Sequence, residues 1–416
     1  MEALAGGPLL CQRDAFSLGP EQETVYLNGA AIGPLPRRSA AIGQQRVATK
    51  LTPWLMGGEE KVADEVRELF AKLIGCEPCD VAVTPSTSYA ISAAAQNLCS
   101  KIREKTVLVL ESQMASNVLP WQIAARAYDG CIKTVKRPAQ DEWADAIVDA
   151  IEAGRRDSNS MVGVVALPNC HWTDGSLIDL KRVSRVCTEM DIALVLDVTQ
   201  SVGVIPISVS EIQPDFMCAS VHKWLLGPYG FSLCYVNPKH HAHAVPLEHF
   251  ERNRRGADAA EWDEEGAMGD AGYPEAFAAG ARPFDSGGRP NPIGIHMLRS
   301  SLEMVVTWDP VRISAYCRSI TEYIAREALR MGFDVPKLHA PHIVGLRCPS
   351  QKPGNQNGRH WPSPAAIVEY LRAKGVYVSL RVKAIRVSCH VYNTVADAKV
   401  LLDTIAAALH DLDAKG

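Results

Sequence analysis

The chain has 416 residues, 47% of them hydrophobic and 22% charged, the balance of a folded globular protein. Its 43 basic and 47 acidic residues leave a formal charge of -4, which excludes an electrostatic nucleic-acid or anionic-membrane binder. No apolar run approaches the roughly 18 residues of a membrane span, and "MEALAGGPLLCQRD" lacks the apolar centre of a signal peptide.

This length implies two closely joined domains. Twelve cysteines are scattered, several inside apolar runs, which fits reduced thiols and a cytoplasmic location better than a disulfide framework. The lone CxxC, "CEPC" at 76–79, lacks a second pair at zinc spacing, and "HHAH" at 240–243 reads as an exposed helix start, so no metal is expected.

From residue 81, β-branched runs alternate with helical stretches. "VAVTP" precedes "STSYAISAAAQNLCSKI", and "TVLVLES" precedes "SNVLPWQIAARAYDG". "CIKTVKR", "DEWADAIVDAIEAGRR", "MVGVVALPN", "DLKRVSRVCTEMD" and "IALVLDV" continue the alternation. This pattern predicts right-handed crossovers and a mostly parallel sheet. "DFMCASV" and "GFSLCYV" have only a short connection, which predicts one reversed strand. Residues 253–281, rich in Gly, Ala and charge, read as a long surface loop. Helices follow to about 331, then the short strands and helices of a smaller domain.

Ligands of parallel sheets bind beyond the carboxyl ends of the strands. There the sequence places Ser86 and Thr87 at a helix start, Asp197 and Gln200 after one strand, and Ser220, His222 and Lys223 after another. Lys223 lies in an apolar segment, "CASVHKWLLGPYGFSLCYV", where an ammonium is costly unless paired or neutralised. An ion pair with Asp197 is one reading. The other is pyridoxal phosphate, which needs a phosphate cradle, a carboxylate facing its ring nitrogen and a lysine imine. Ser86–Thr87, Asp197 and Lys223 supply these three in that order.

"YLNGAAIGPLP", "TPSTSYAIS", "SNVLPW", "HWTDGSLIDL", "LDVTQSVG", "SVHKWLLGPYG", "FDSGGRPN" and "IRVSCHVYNT" occur in order between residues 26 and 405. Together they resemble fold-type-I pyridoxal-phosphate enzymes of the class V aminotransferase superfamily. That group includes cysteine desulfurases, kynureninases, isopenicillin N epimerase-like proteins and the C–S lyase of ergothioneine synthesis. The resemblance implies an α/β fold with a seven-stranded-type, mostly parallel sheet in a large domain (22–292). It also implies a smaller α+β C-terminal domain (293–416), joined by the N-terminal segment 1–21.

The resemblance further implies that Lys223 binds the cofactor and moves protons, that Asp197 pairs with the ring nitrogen, and that Gln200 reaches the ring hydroxyl. Ser86, Thr87, Ser220 and His222 would hold the phosphate, with the Gly287–Gly288 backbone reaching the neighbouring subunit's phosphate in a homodimer. Arg386 would grip the α-carboxylate of a small amino-acid substrate, beside Asn28, Ala30, Ala31 and Arg289.

Three departures from the pattern stand out. Met114 occupies the position where desulfurases stack a histidine on the ring. Trp172 replaces an asparagine near the ring hydroxyl. "YVSLRVKAIRVS" leaves no room for the desulfurase's cysteine-bearing loop, and Cys389 is expected to be structural. A C–S lyase or other β-eliminating enzyme is therefore expected, with epimerase and aminotransferase as alternatives. Tyr89, Tyr229, His171 and His390 are possible second acids. A catalytically silent binding protein is the reading from another class.

Overall fold

A computed structural model describes residues 7–19, 24–139, 142–157, 160–255, 276–288, 290–349 and 361–413. Its central sheet has seven strands: β2 (Val81–Thr84), β3 (Thr106–Leu110), β4 (Cys131–Val135), β5 (Val162–Pro168), β6 (Ala193–Asp197), β7 (Phe216–Ser220) and β8 (Ser232–Val236), numbered after a short β1 (Val25–Tyr26). They lie in the order β2-β8-β7-β6-β5-β3-β4. Only β8 runs against its neighbours, as the short connection after β7 predicts. The alternating strand and helix runs thus produce the parallel α/β sheet expected of them.

Strand residues of alternate parity face two apolar cores. Val107, Val109, Val164, Ala166 and Val195 enter one core with Ala90, Ile91 and Trp121. Leu108, Leu110, Val165, Leu167 and Leu194 enter the other. Burial on both faces explains why these strands read as continuous apolar runs. β4 is the exposed edge and carries Lys133. Helix Leu180–Glu189 buries Leu180, Val183, Ser184 and Cys187, one stripe at helical spacing, with Asp179 as its N-cap.

Beyond helices Gly294–Trp308 and Pro310–Arg330 lie β9 (Ile343–Arg347), β10 (Val376–Tyr377), β11 (Ser379–Arg381) and β12 (Ala384–Ser388). β11, β12 and β9 form an antiparallel sheet, and β10 pairs with β1. Helices Pro310–Arg330 and Pro364–Ala373 pack on this sheet, and helix Val395–Asp413 packs on those two helices and on β1. Asn28 bridges Ser388, and the Gln12 N–H donates to Val391 O at 2.7 Å. The N-terminal segment is therefore stitched to β12 and the residues after it. Residues 256–275 of the expected surface loop lie outside the described residues, as do 1–6 and 20–21 of the N-terminal segment.

Candidate active site

The carboxyl ends of β2, β3, β5, β6 and β7 open on one cavity of about 280 Å³. Ser86, Thr87, Met114, Trp172, Asp197, Gln200, Ser220, His222 and Lys223 all line it. Ser86, Thr87, Asp197, Gln200, Ser220, His222 and Lys223 end or closely follow buried strands, which made them legible in the sequence, while Met114 and Trp172 came from the family resemblance.

On one side, helix Thr87–Asn97 points its N-terminus at the cavity, with Ser86, Thr87 and Ser88 in the lining. Ser86 Oγ caps it, accepting from Tyr89 N at 3.1 Å. Thr87 Oγ1 lies 2.7 Å from Ser220 Oγ, and Ser220 N donates to Thr199 Oγ1 at 3.0 Å. Free N–H groups, a helix dipole and clustered hydroxyls suit a phosphate. His222 stacks on Tyr229 with ring centres 4.0 Å apart. Burial and the neighbouring Lys223 push its imidazole down to about 4, so it is neutral near pH 7.

Asp197 is buried and stays above the usual carboxylate range because burial outweighs the Thr199 N–H, which donates to its Oδ1 at 3.0 Å. The Lys223 amine takes no hydrogen-bond partner among the described residues. Burial pushes it down to about 8, opposed by Asp197 and aided by Arg386 and Arg381. Gly33 packs directly on this lysine: its N–H donates to His222 O at 2.9 Å, and a Cβ there would lie 2.1 Å from Lys223 O. Only glycine permits that approach.

Arg386, on β12, is 1% exposed. Its Nη1 donates to Trp172 O at 2.7 Å, while Nε and Nη2 have no partner. Burial, then repulsion from Arg381, pushes its guanidinium down to about 9. Two orphaned, parallel donors in a buried guanidinium are the fork that a carboxylate fills. Asn28 Oδ1 is also buried without a partner. Ala30 N donates to Ser388 Oγ at 3.0 Å and Ala31 N to Asn28 O at 3.0 Å, which fixes this loop against β12. Gln200 differs in detail from expectation. Its Nε2 donates to Ala30 O at 3.0 Å and its Oε1 accepts from Trp224 Nε1 at 2.8 Å, so the amide also ties the N-terminal loop to the lysine segment.

Gly287 and Gly288 do not line this cavity. The Gly287 N–H donates to the Glu248 carboxylate, and Gly288 borders an adjoining depression that shares Gly230 and Phe231 with the cavity. Arg289 lies outside the described residues. His171 and His390 point elsewhere. His171 bonds Thr173 Oγ1 at 2.7 Å and donates to Glu111 O at 3.1 Å, and His390 stacks between Trp224 and Tyr392. Cys389 is buried just past the end of β12, with its thiol toward Cys317 O.

Sequence reasoning missed Cys170, which lines the cavity with its thiol pushed up by burial and Asp174. It also missed Arg381, whose guanidinium lies over the Trp172 ring. The basic spacing of "LRVKAIR" was the available signal.

The family model described as aminotransferase class-V matches residues 55–401. An uncharacterized aminotransferase, YcbU, of Bacillus subtilis is 26% identical over 82% of each chain. The structure of the Escherichia coli cysteine desulfurase CsdA superposes with TM-score 0.76 at 19% identity, covering 96% of this chain and 97% of that one. The cystine C–S lyase C-DES, in complex with its reaction product cysteine persulfide, superposes with TM-score 0.78 at 16% identity, covering 92% and 97%. The chain belongs to the aminotransferase class-V family. It has the fold-type-I architecture and is a pyridoxal-phosphate enzyme. The unpartnered lysine amine, the buried carboxylate and the helix N-terminus fit that cofactor.

Proposed function

We propose that the protein cleaves the carbon–sulfur bond of a cysteine-derived α-amino acid. The observation that carries this reading is the buried Arg386 fork, with free Nε and Nη2, tied through Nη1 to the cavity-lining Trp172 and acting electrostatically on the unpartnered Lys223 amine. Lys223 holds the cofactor and moves the α-proton; with its amine near 8, it can carry or release a proton near neutral pH. Pyridoxal phosphate, when bound, supplies the sink for the electron pair left at the α-carbon. Asp197 would pair with the ring nitrogen, and Ser86, Thr87, Ser220 and His222 would hold the phosphate. Gly287 and Gly288 serve the neighbouring subunit of a homodimer, and Asn28, Ala30 and Ala31 flank the α-carboxylate on Arg386.

In this reaction Lys223 takes the α-proton, the Cβ–S bond breaks, and its electron pair leaves with sulfur as a thiol. Water then yields pyruvate and ammonium. Elimination is favoured over epimerisation because reprotonation from the opposite face wants a second acid. Of Tyr89, Tyr229, His171 and His390, only Tyr229 lines the cavity among the described residues, and it is 62% exposed. A cysteine relay of the desulfurase kind is disfavoured by the two-residue turn, Val382–Lys383, between β11 and β12. C-DES, a C–S lyase, offers a parallel activity on this fold. We also propose the division at residues 22–292 and 293–416, with the N-terminal segment serving the smaller unit.

The test is a mass-spectrometric product assay in D2O with S-substituted cysteines and other amino acids, using Lys223→Ala as control. Pyruvate from wild type alone is expected. Deuterium at the α-carbon without pyruvate would replace elimination with epimerisation or transamination.

A further inference from the structure

Arg381 and Arg386 are diagonal neighbours on one face of the small sheet. Ser379 pairs with Arg386 across the ladder, and Arg381 lies two residues along β11 from Ser379, so the side chains share a face. Like charges in such positions repel. Elsewhere the fold neutralises clustered arginines: Asp174 takes both Arg137 and Arg347. Among the described residues no carboxylate does this for Arg381 or Arg386. Arg381 Nη1 donates only to Leu380 O, at 2.9 Å.

Trp172 connects the two guanidiniums. Its carbonyl accepts from Arg386 Nη1 at 2.7 Å, and its ring lies 5.8 Å from Arg381 Cζ. That ring lines the cavity and is held in place by its Nε1–H, which donates to Ser112 O at 2.6 Å. Lys223 therefore has two cationic neighbours, Arg386 and Arg381, against one anionic neighbour, Asp197, the one carboxylate among the described cavity-lining residues. One substrate α-carboxylate answers Arg386 and leaves Arg381 without a counter-ion.

We infer that Arg381 is a second anion subsite, and that the substrate carries a carboxylate or similar planar anion at the end of its side chain. This rests on the reading of Arg386 as the α-carboxylate grip. The Trp172 ring supplies a flat apolar wall for the intervening carbons, and the Arg381 fork meets the distal anion. The substrate class is thus a dianionic, cysteine-derived amino acid in place of a neutral S-alkyl cysteine.

The test measures binding by calorimetry of L-2-aminoadipate and L-norleucine to the holoenzyme, two ligands of matched chain with and without a distal carboxylate. Wild type is expected to bind aminoadipate about 10- to 100-fold tighter, the range of a charge-assisted hydrogen bond. Arg381→Met should collapse that ratio toward one, and Arg381→Lys should keep part of it. Equal binding of the two ligands by wild type, or a ratio unchanged in Arg381→Met, overturns the subsite. If no S-substituted cysteine yields pyruvate while the ratio and its loss persist, the subsite stands and the lyase reading fails. If S-ethylcysteine and S-carboxymethylcysteine are both cleaved while the two ligands bind alike, the subsite fails and the lyase reading stands.

Discussion

Trp224 donates its indole N–H to Gln200 Oε1 at 2.8 Å, one residue past the cavity-lining Lys223. The ring is fully buried, edge-on to His342 at 4.2 Å and stacked on His390 at 5.5 Å. His342 in turn donates to Gln200 O at 2.7 Å. Trp224→Phe removes the donor and leaves a buried carbonyl oxygen unsatisfied, at a cost of about 1–3 kcal/mol. Urea unfolding of the holoenzyme should show that loss, together with a lower kcat from a less firmly held Lys223. An unchanged midpoint would show that the indole N–H contributes nothing.

Lys223→Ala removes the amine that we propose carries the cofactor. After borohydride reduction, wild type should gain one pyridoxyl phosphate by intact mass, mapped by peptide to Lys223, and the variant none. An adduct on another lysine would displace Lys223 from its role.

The depressed lysine also sets a pH dependence. In the cofactor-free protein Lys223 releases its proton near 8, whereas in the unfolded chain it holds the proton to about 10.5. Between these values the unfolded state binds more protons, so this group's contribution makes stability rise with pH through that window. Labelling of Lys223 by an amine-reactive reagent should have its midpoint near 8. Asp197 opposes the depression, so Asp197→Asn should move that midpoint lower. A midpoint above wild type would reverse the assigned sign.

Arg386→Met separates binding from stability. The substitution loses one hydrogen bond to Trp172 O, worth about 1 kcal/mol, but removes a buried unpaired charge whose desolvation costs several kcal/mol. The variant without substrate should therefore unfold at a urea concentration at least as high as wild type. Its KM for an amino acid should rise on the order of 100-fold, the loss of two charge-assisted bonds. Lower stability with normal KM would make Arg386 a structural residue.

Asp174 gives the opposite case. Burial pushes its carboxyl up, but Arg137 and Arg347 more than offset this and hold it below the ordinary range. The stabilisation is fully present above that range and falls away as acid protonates the group. Asp174→Asn removes the buried anion that Arg137 and Arg347 share and should cost about 3 kcal/mol in urea unfolding at neutral pH. The difference from wild type should shrink toward pH 3.

The residues following buried strands were legible because period and turn chemistry place strand ends, and a parallel sheet brings those ends together. Lys223, Asp197, Thr87 and Ser220 were legible this way, whereas Met114 and Trp172 came from the family resemblance. The reversed β8 was legible from its short connection. Ladder register was not, so the diagonal of Arg381 and Arg386 stayed hidden in "LRVKAIR". Nor could sequence show that both ends of the Gln200 amide are engaged, because its partners come from residue 30 and from Trp224. The close approach of Gly33 to Lys223 depends likewise on tertiary packing.

The N-terminal loop and β12 meet through Ala30 and Ser388, 358 positions apart. On a ribosome, the segments bearing Ser86, Asp197 and Lys223 emerge well before Arg386, so a nascent chain acquires the lysine we propose for the cofactor before the arginine we propose for the substrate carboxylate. The loop at Asn28–Gly33 can find part of its docking surface on the His222 backbone early, but its other support arrives with β12. Translation-arrested chains ending between β8 and β9 should thus expose Asn28–Gly33 to protease, whereas chains that include β12 should protect it. Equal protection in both would mean that β12 does not clasp the loop.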